Sequence, residues 1–78
     1  MIYINSSYSS IDFLDKDSRP HRLNGPAVIC GYYKEWRLNG ALHRIDGPAI
    51  IDGDYQEWYI DGVKYTERSY YDKLRVMG

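Results

Sequence analysis

A single cysteine, Cys30, stands in the 78-residue sequence, so no disulfide within the chain can staple the fold. The lone thiol fits a reducing, cytoplasmic setting. Metal ligands are as scarce: two histidines and one cysteine form no recognised ligand spacing, which leaves no candidate metal or cofactor. No apolar run approaches a transmembrane length, and the opening MIYINSSYSS lacks the basic start and apolar stretch of a signal peptide. A net charge of −1 provides no basic field to draw in duplex nucleic acid. Enzyme signatures are missing too. There is no nucleophile elbow, phosphate-binding glycine loop or HExxH motif, and the serines cluster in a turn without a plausible base. Asp12, Asp15 and Asp17 have the spacing of acidic ligands, but the glycine and terminal glutamate of a calcium loop do not follow. The expectation is a soluble, intracellular binding protein without catalysis, away from membranes and duplex nucleic acid.

Length adds a constraint. A chain of this size forms one domain whose core is barely sufficient, and small domains usually add disulfides, metal or oligomerisation. With the first two set aside, self-association is expected.

What the sequence has in excess is aromatic and repeated. Nine tyrosines and two tryptophans supply rigid, amphipathic contact area of the kind enriched at interfaces, although such residues are also good strand formers. HRLNGPAVICGYYKEWRLNGAL at 21–42 is followed without insertion by HRIDGPAIIDGDYQEWYIDGVK at 43–64, a 22-residue repeat with half the positions identical. Residues 1–20 read as a degenerate N-terminal cap, in which IDFLD resembles the EW segments with Phe13 near the tryptophan slot. Residues 65–78 read as a helical cap.

Inside each unit, Asn24-Gly25 and Asp46-Gly47 predict turns with positive φ at glycine, and Pro26 and Pro48 open the next strand. First strands are expected at 27–30 and 49–52, second strands at 34–38 and 56–60, and short third strands at 41–44 and 63–65. Asn39-Gly40 and Asp61-Gly62 are type I′ hairpin signals. Alternation assigns Ala27, Ile29, Trp36 and Leu38, with Ala49, Ile51, Trp58 and Ile60, to one buried face; the Glu, Arg and Tyr residues take the other. Thr66 is a good N-cap for a helix over ERSYYDKLRVM, with Tyr70, Tyr71, Leu74 and Met77 on its apolar side. The fold class is therefore mainly β: an antiparallel β-meander of 22-residue repeats with a short C-terminal α-helix.

The pattern HRxDGPA, a glycine turn, EW, then NG or DG resembles the HREDGPA-type repeats of small bacteriophage and prophage proteins. These are similar in layout to MORN-like repeat proteins and their antitoxin-like relatives. His21, Arg22, Gly25, Pro26, Ala27, Glu35, Trp36 and Gly40 carry the resemblance, as do His43, Arg44, Asp46, Gly47, Pro48, Ala49, Glu57, Trp58 and Gly62. Leu23-Asn24 and Ile45 depart from it by replacing usual acidic residues. The resemblance implies a non-catalytic β-repeat scaffold of phage origin, and by analogy a protein that binds a host factor such as a component of antiviral defence.

Candidate binding residues are those the fold leaves free: Tyr32, Lys34 and Arg37 in one unit against Asp54, Gln56 and Tyr59 in the other, with Tyr33 and Tyr55. They suggest a tyrosine-rich strip that occludes a host protein. Arg22 and Arg44, beside His21 and His43, form a possible anion site; the plainer readings are an ion ladder to Glu35 and Glu57 and histidines bonded to turns. A second reading is an oligomeric sponge that holds a small nucleotide signal, phosphates on arginine and base on an aromatic ring. A third is a structural or antitoxin-like interaction module.

Overall fold

The computed structural model describes residues 2–5 and 10–77. Its elements are β1 (Ile2–Asn5), β2 (Ser10–Phe13), β3 (Val28–Cys30), β4 (Tyr33–Glu35), β5 (Arg37–Leu38), β6 (Ala41–Leu42), β7 (Ile50–Asp52), β8 (Tyr55–Ile60), β9 (Val63–Tyr65) and α1 (Glu67–Met77). Seven strands form one antiparallel sheet in the order β1-β2-β3-β4-β7-β8-β9, and β5 pairs with β6 as a separate hairpin. This is the expected β-meander with its C-terminal helix. Its extents, 40 × 29 × 17 Å, describe a slab.

Turn chemistry sets the connections. Asn39 and Gly40 have φ of 51° and 86°, Asp61 and Gly62 have 49° and 80°, and two positive values in succession define the type I′ turn that matches strand twist. Gly47 has the expected positive φ, at 157°, whereas Gly25 is not among the residues of positive φ. Their lack of a side chain matters because an arginine fills that space: an added Cβ would stand 3.0 Å from Arg22 Cζ at Gly25, and 2.9 Å from Arg44 Cζ at Gly47.

The second strand of the first unit divides at Trp36, whereas its counterpart β8 runs unbroken. The Trp36 N–H donates to the Ala49 carbonyl and its carbonyl accepts from the His43 N–H, so the adjoining chain leaves the sheet between these two points as a loop. Pairing is interrupted there, and the strand bends. Beside Trp58 no such loop follows among the described residues.

Each repeat hands its backbone to the next in the same way. The Ala27 N–H donates to the Glu35 carbonyl while the Ala27 carbonyl accepts from the Phe13 N–H; Ala49 makes the matching bonds to Glu57 and Trp36. Ala27 and Ala49 are fully buried between neighbouring strands, and a larger side chain has no room there. The degenerate cap follows this plan, with Phe13 in the tryptophan slot.

Register separates the faces. Ile11, Ile29, Lys34, Ile51 and Gln56 form one row across β2, β3, β4, β7 and β8. Val28, Glu35, Ile50 and Glu57 form a row on the opposite face, next to Cys30, Tyr33, Asp52 and Tyr55. The isoleucine face and the tyrosine–glutamate face are therefore distinct, but Lys34 lies among the isoleucines and not beside the tyrosines.

Packing is thin. Among the described residues the buried hydrophobic ones are Ala27, Ala49, Ile60 and Tyr70. Helix α1 begins as predicted, with Thr66 Oγ1 accepting from the Ser69 N–H at 3.1 Å, and it packs on β8 and β9. Of its expected apolar side, Tyr70 is buried, Leu74 is half-buried, and Tyr71 and Met77 are exposed. The Tyr70 hydroxyl donates to the Arg44 carbonyl and accepts from the Gly47 N–H, clasping the helix to the second repeat loop. Among the described residues no helix is long and apolar enough to cross a membrane.

Candidate functional site

Two hydrogen-bonded clusters stand side by side on the tyrosine–glutamate face. In the first, the Tyr33 hydroxyl donates to the Glu35 carboxylate, and Arg37 Nε donates to Glu35 Oε1 at 2.6 Å. Arg37 also reaches the Gly40 carbonyl at 2.7 Å. In the second, Glu57 accepts from the Tyr55 hydroxyl, from Tyr59 Oη at 3.0 Å and from Lys64 Nζ at 3.1 Å. The glutamates are the hubs because strand alternation places Tyr55, Glu57 and Tyr59 on one side of β8.

These contacts shift the acidity of Glu57, Lys64 and the tyrosines. The Tyr55 hydroxyl bond, then Lys64, hold the Glu57 carboxyl below its ordinary range. Burial and then the glutamate bonds push the phenols of Tyr33 and Tyr59 upward; for Tyr55 the Glu57 bond is the larger cause. Hydrogen bonding to Glu57 raises Lys64. The face is an ordered array of aromatic rings and charges of both signs.

Of the candidate residues, Tyr33, Arg37, Tyr55 and Tyr59 come together here. Tyr32 projects from the β3–β4 turn and is 86% exposed. Lys34 is separated from them by the thickness of the sheet. Sequence reasoning missed Glu35 and Glu57 as the organisers, although Tyr-x-Glu at 33–35 and again at 55–57 is a readable signal.

The expected ion ladder from Arg22 and Arg44 to Glu35 and Glu57 does not form, because each arginine reaches back to the preceding rung. Arg22 Cζ lies 4.0 Å above the Phe13 ring and Arg44 Cζ lies 3.8 Å above the Trp36 ring. Arg22 Nη1 donates to the Pro26 carbonyl at 3.3 Å, and Arg44 Nη1 to the Pro48 carbonyl at 2.9 Å. Arg44 also pairs with Asp46 at 2.8 Å. Asn24 takes that place in the first unit, and among the described residues Arg22 has no ion-pair partner.

Arg22, Trp36, His43, Arg44 and Asp46 line an open cleft of about 660 Å³ between the two loops. Leu23 and Ile45 at its rim are exposed. The histidines bond to turns: His21 Nδ1 accepts from the Asn39 N–H at 2.8 Å, and His43 Nδ1 from the Asp61 N–H at 3.0 Å. Of the acidic residues near the N-terminus, Asp15 does the same work, holding the N–H groups of Asp17 and Arg19 and the Arg19 side chain. Among the described residues no group of His, Cys, Asp and Glu is arranged to hold a metal ion.

In comparisons with protein-family models, with curated proteins and with solved structures, the chain matches none.

Proposed function

We propose that this chain is a non-enzymatic binding protein of phage type that inhibits a host factor by lying over its working surface, with an antiviral-defence component as the class of target. The observation that carries the reading is the ordered face of Tyr33, Arg37, Tyr55 and Tyr59 around Glu35 and Glu57. Its side chains are tied to one another by hydrogen bonds in the unbound chain, and aromatic and arginine side chains are the usual energetic anchors of protein interfaces. Tyr32 stands free at one margin to extend the contact.

One observation favours the nucleotide-sponge reading: Arg22, which has no ion-pair partner among the described residues, lines a cleft together with Trp36. Asp46 counts against it, because its carboxylate sits on Arg44 where a phosphate would have to bind.

The test is capture from a bacterial host on the immobilised protein, with wild type beside a variant carrying Ala at 32, 33, 37, 55 and 59. A stoichiometric host polypeptide held by the wild type and lost from the folded variant supports the proposal. Equal capture by both proteins refutes it. Native mass spectrometry of the same preparation, showing a nucleotide mass on each subunit, would favour the sponge.

A further inference from the structure

The repeat array contains three aromatic rungs but, among the described residues, two arginines stacked on them. Phe13 is covered by Arg22 and Trp36 by Arg44; the position 22 residues beyond Arg44 is Thr66, which starts the helix instead. Among the described residues no cation stacks on Trp58, and its buried Nε1 has no hydrogen-bond partner.

The strand beside this rung is missing too. On β4, the edge away from β3 is taken by β7, with Lys34 opposite Ile51, and Ala49 accepts from Trp36. On β8, the edge away from β7 pairs with β9 over Trp58–Ile60 only. Trp58 is taken up by Tyr65 of β9, so where β4 meets a strand it is Gln56 whose outward backbone groups no described strand takes up. A cleft of about 380 Å³ opens here, lined by Gln56, Trp58, Tyr65 and Thr66 and by two carboxylates, Glu57 and Glu67, against one ammonium, Lys64.

We propose that this incomplete third rung is a docking site for an extended segment of a partner protein. The segment adds as a strand along residues 55–57, where β9 does not reach, and lays an arginine guanidinium on the Trp58 ring. The first two rungs display the required chemistry: a strand whose small and branched residues match Ala49 and Ile51, and a cation over the ring. The excess of carboxylates in the cleft favours the same charge. A second copy is poorly equipped to fill the site. Its Arg22 and Arg44 already cover Phe13 and Trp36, and its other sheet edge, β1 (IYIN), carries no arginine or lysine. This surface is an edge of the sheet that adjoins the tyrosine face and shares Tyr55, Glu57 and Lys64 with it. A peptide titration reads the edge alone, so its failure is distinguishable from failure of the function proposed above.

The probe is the acetylated peptide RIDGPAIID, the sequence of residues 44–52 that fills the corresponding place on β4 and Trp36. Titrated into the full-length protein and followed by heteronuclear NMR, it should shift the Gln56 and Trp58 amides and the Trp58 indole N–H together and saturably. The Trp36 indole should stay in place. The same peptide with Ala for its arginine should bind at least about fivefold more weakly, as expected for loss of one cation–π contact. Equal binding by the two peptides, or shifts that map elsewhere, would overturn the proposal. So would concentration-dependent shifts of the same amides without peptide, since they would assign the edge to a second copy. Comparing two peptides leaves the protein unmutated, so misfolding cannot obscure the result.

Discussion

Gly47→Ala tests how the repeats are joined. Arg44 lies between the Trp36 ring, 3.8 Å from its centroid, and Gly47, where a new Cβ would stand 2.9 Å from the guanidinium carbon. The ring blocks retreat on one side, so the guanidinium must leave its place. It then gives up the cation–π contact, about 0.5–2 kcal/mol, and a charged bond to the Pro48 carbonyl, about 1.5–3 kcal/mol. The exposed Asp46 pair adds roughly 0–1 kcal/mol. Backbone strain at the positive φ of Gly47 adds about 1–3 kcal/mol. Allowing for partial rebonding to water, the expected loss is about 3–7 kcal/mol, a large share of the roughly 4–12 kcal/mol available to a chain of this size. Urea unfolding followed by circular dichroism measures it.

Two comparisons isolate the cause. Gly53 has open space around its Cβ position and φ of 60°, so Gly53→Ala reports backbone strain alone, about 1–2 kcal/mol. Gly25→Ala brings a Cβ to 3.0 Å from Arg22 without a positive φ, so its cost should nearly vanish when Arg22 is also alanine. The reasoning fails if Gly47→Ala costs no more than Gly53→Ala, or if the Gly25 penalty survives removal of Arg22.

Further outcomes follow from the same contacts. Tyr70→Phe removes the hydroxyl that joins the Arg44 carbonyl to the Gly47 N–H, and should cost about 1–3 kcal/mol in the same unfolding assay with helix content retained. Glu57 has its carboxyl held low by Tyr55 and Lys64, so its contribution is fully present above the ordinary glutamate value of 4.5 and disappears as pH falls through the lower folded value. The stability gap between wild type and Glu57→Gln should therefore be widest near neutrality and close in acid; a gap unchanged down to strong acid would contradict this. Thr66→Ala removes the N-cap and should cost about 1 kcal/mol, read as an earlier thermal loss of helical signal.

The local chemistry of the chain was legible without coordinates. Asn39-Gly40 and Asp61-Gly62 dictate their hairpins because positive φ at two successive residues favours those residue types. Thr66 starts the helix through its own side chain, and alternation along β8 separates Trp58 and Ile60 from Tyr55, Glu57 and Tyr59. These determinants act within a few residues. The 22-residue period fixed the order of strands for a related reason: identical units joined by tight turns pair with their neighbours.

Contacts between rungs were decided by tertiary structure alone. That Arg44 crosses to Trp36 and not to Glu57, that Gly47 is small to admit it, and that Tyr70 closes over the same loop all depend on the loop between His43 and Ala49 folding back on the preceding rung. Lys34 joined the isoleucine face through its register with Ile29 and Ile51, where the sequence suggested a tyrosine neighbour. A long side chain can reach several partners from one position on a strand. Which of them it meets is set by packing that no short stretch of sequence contains.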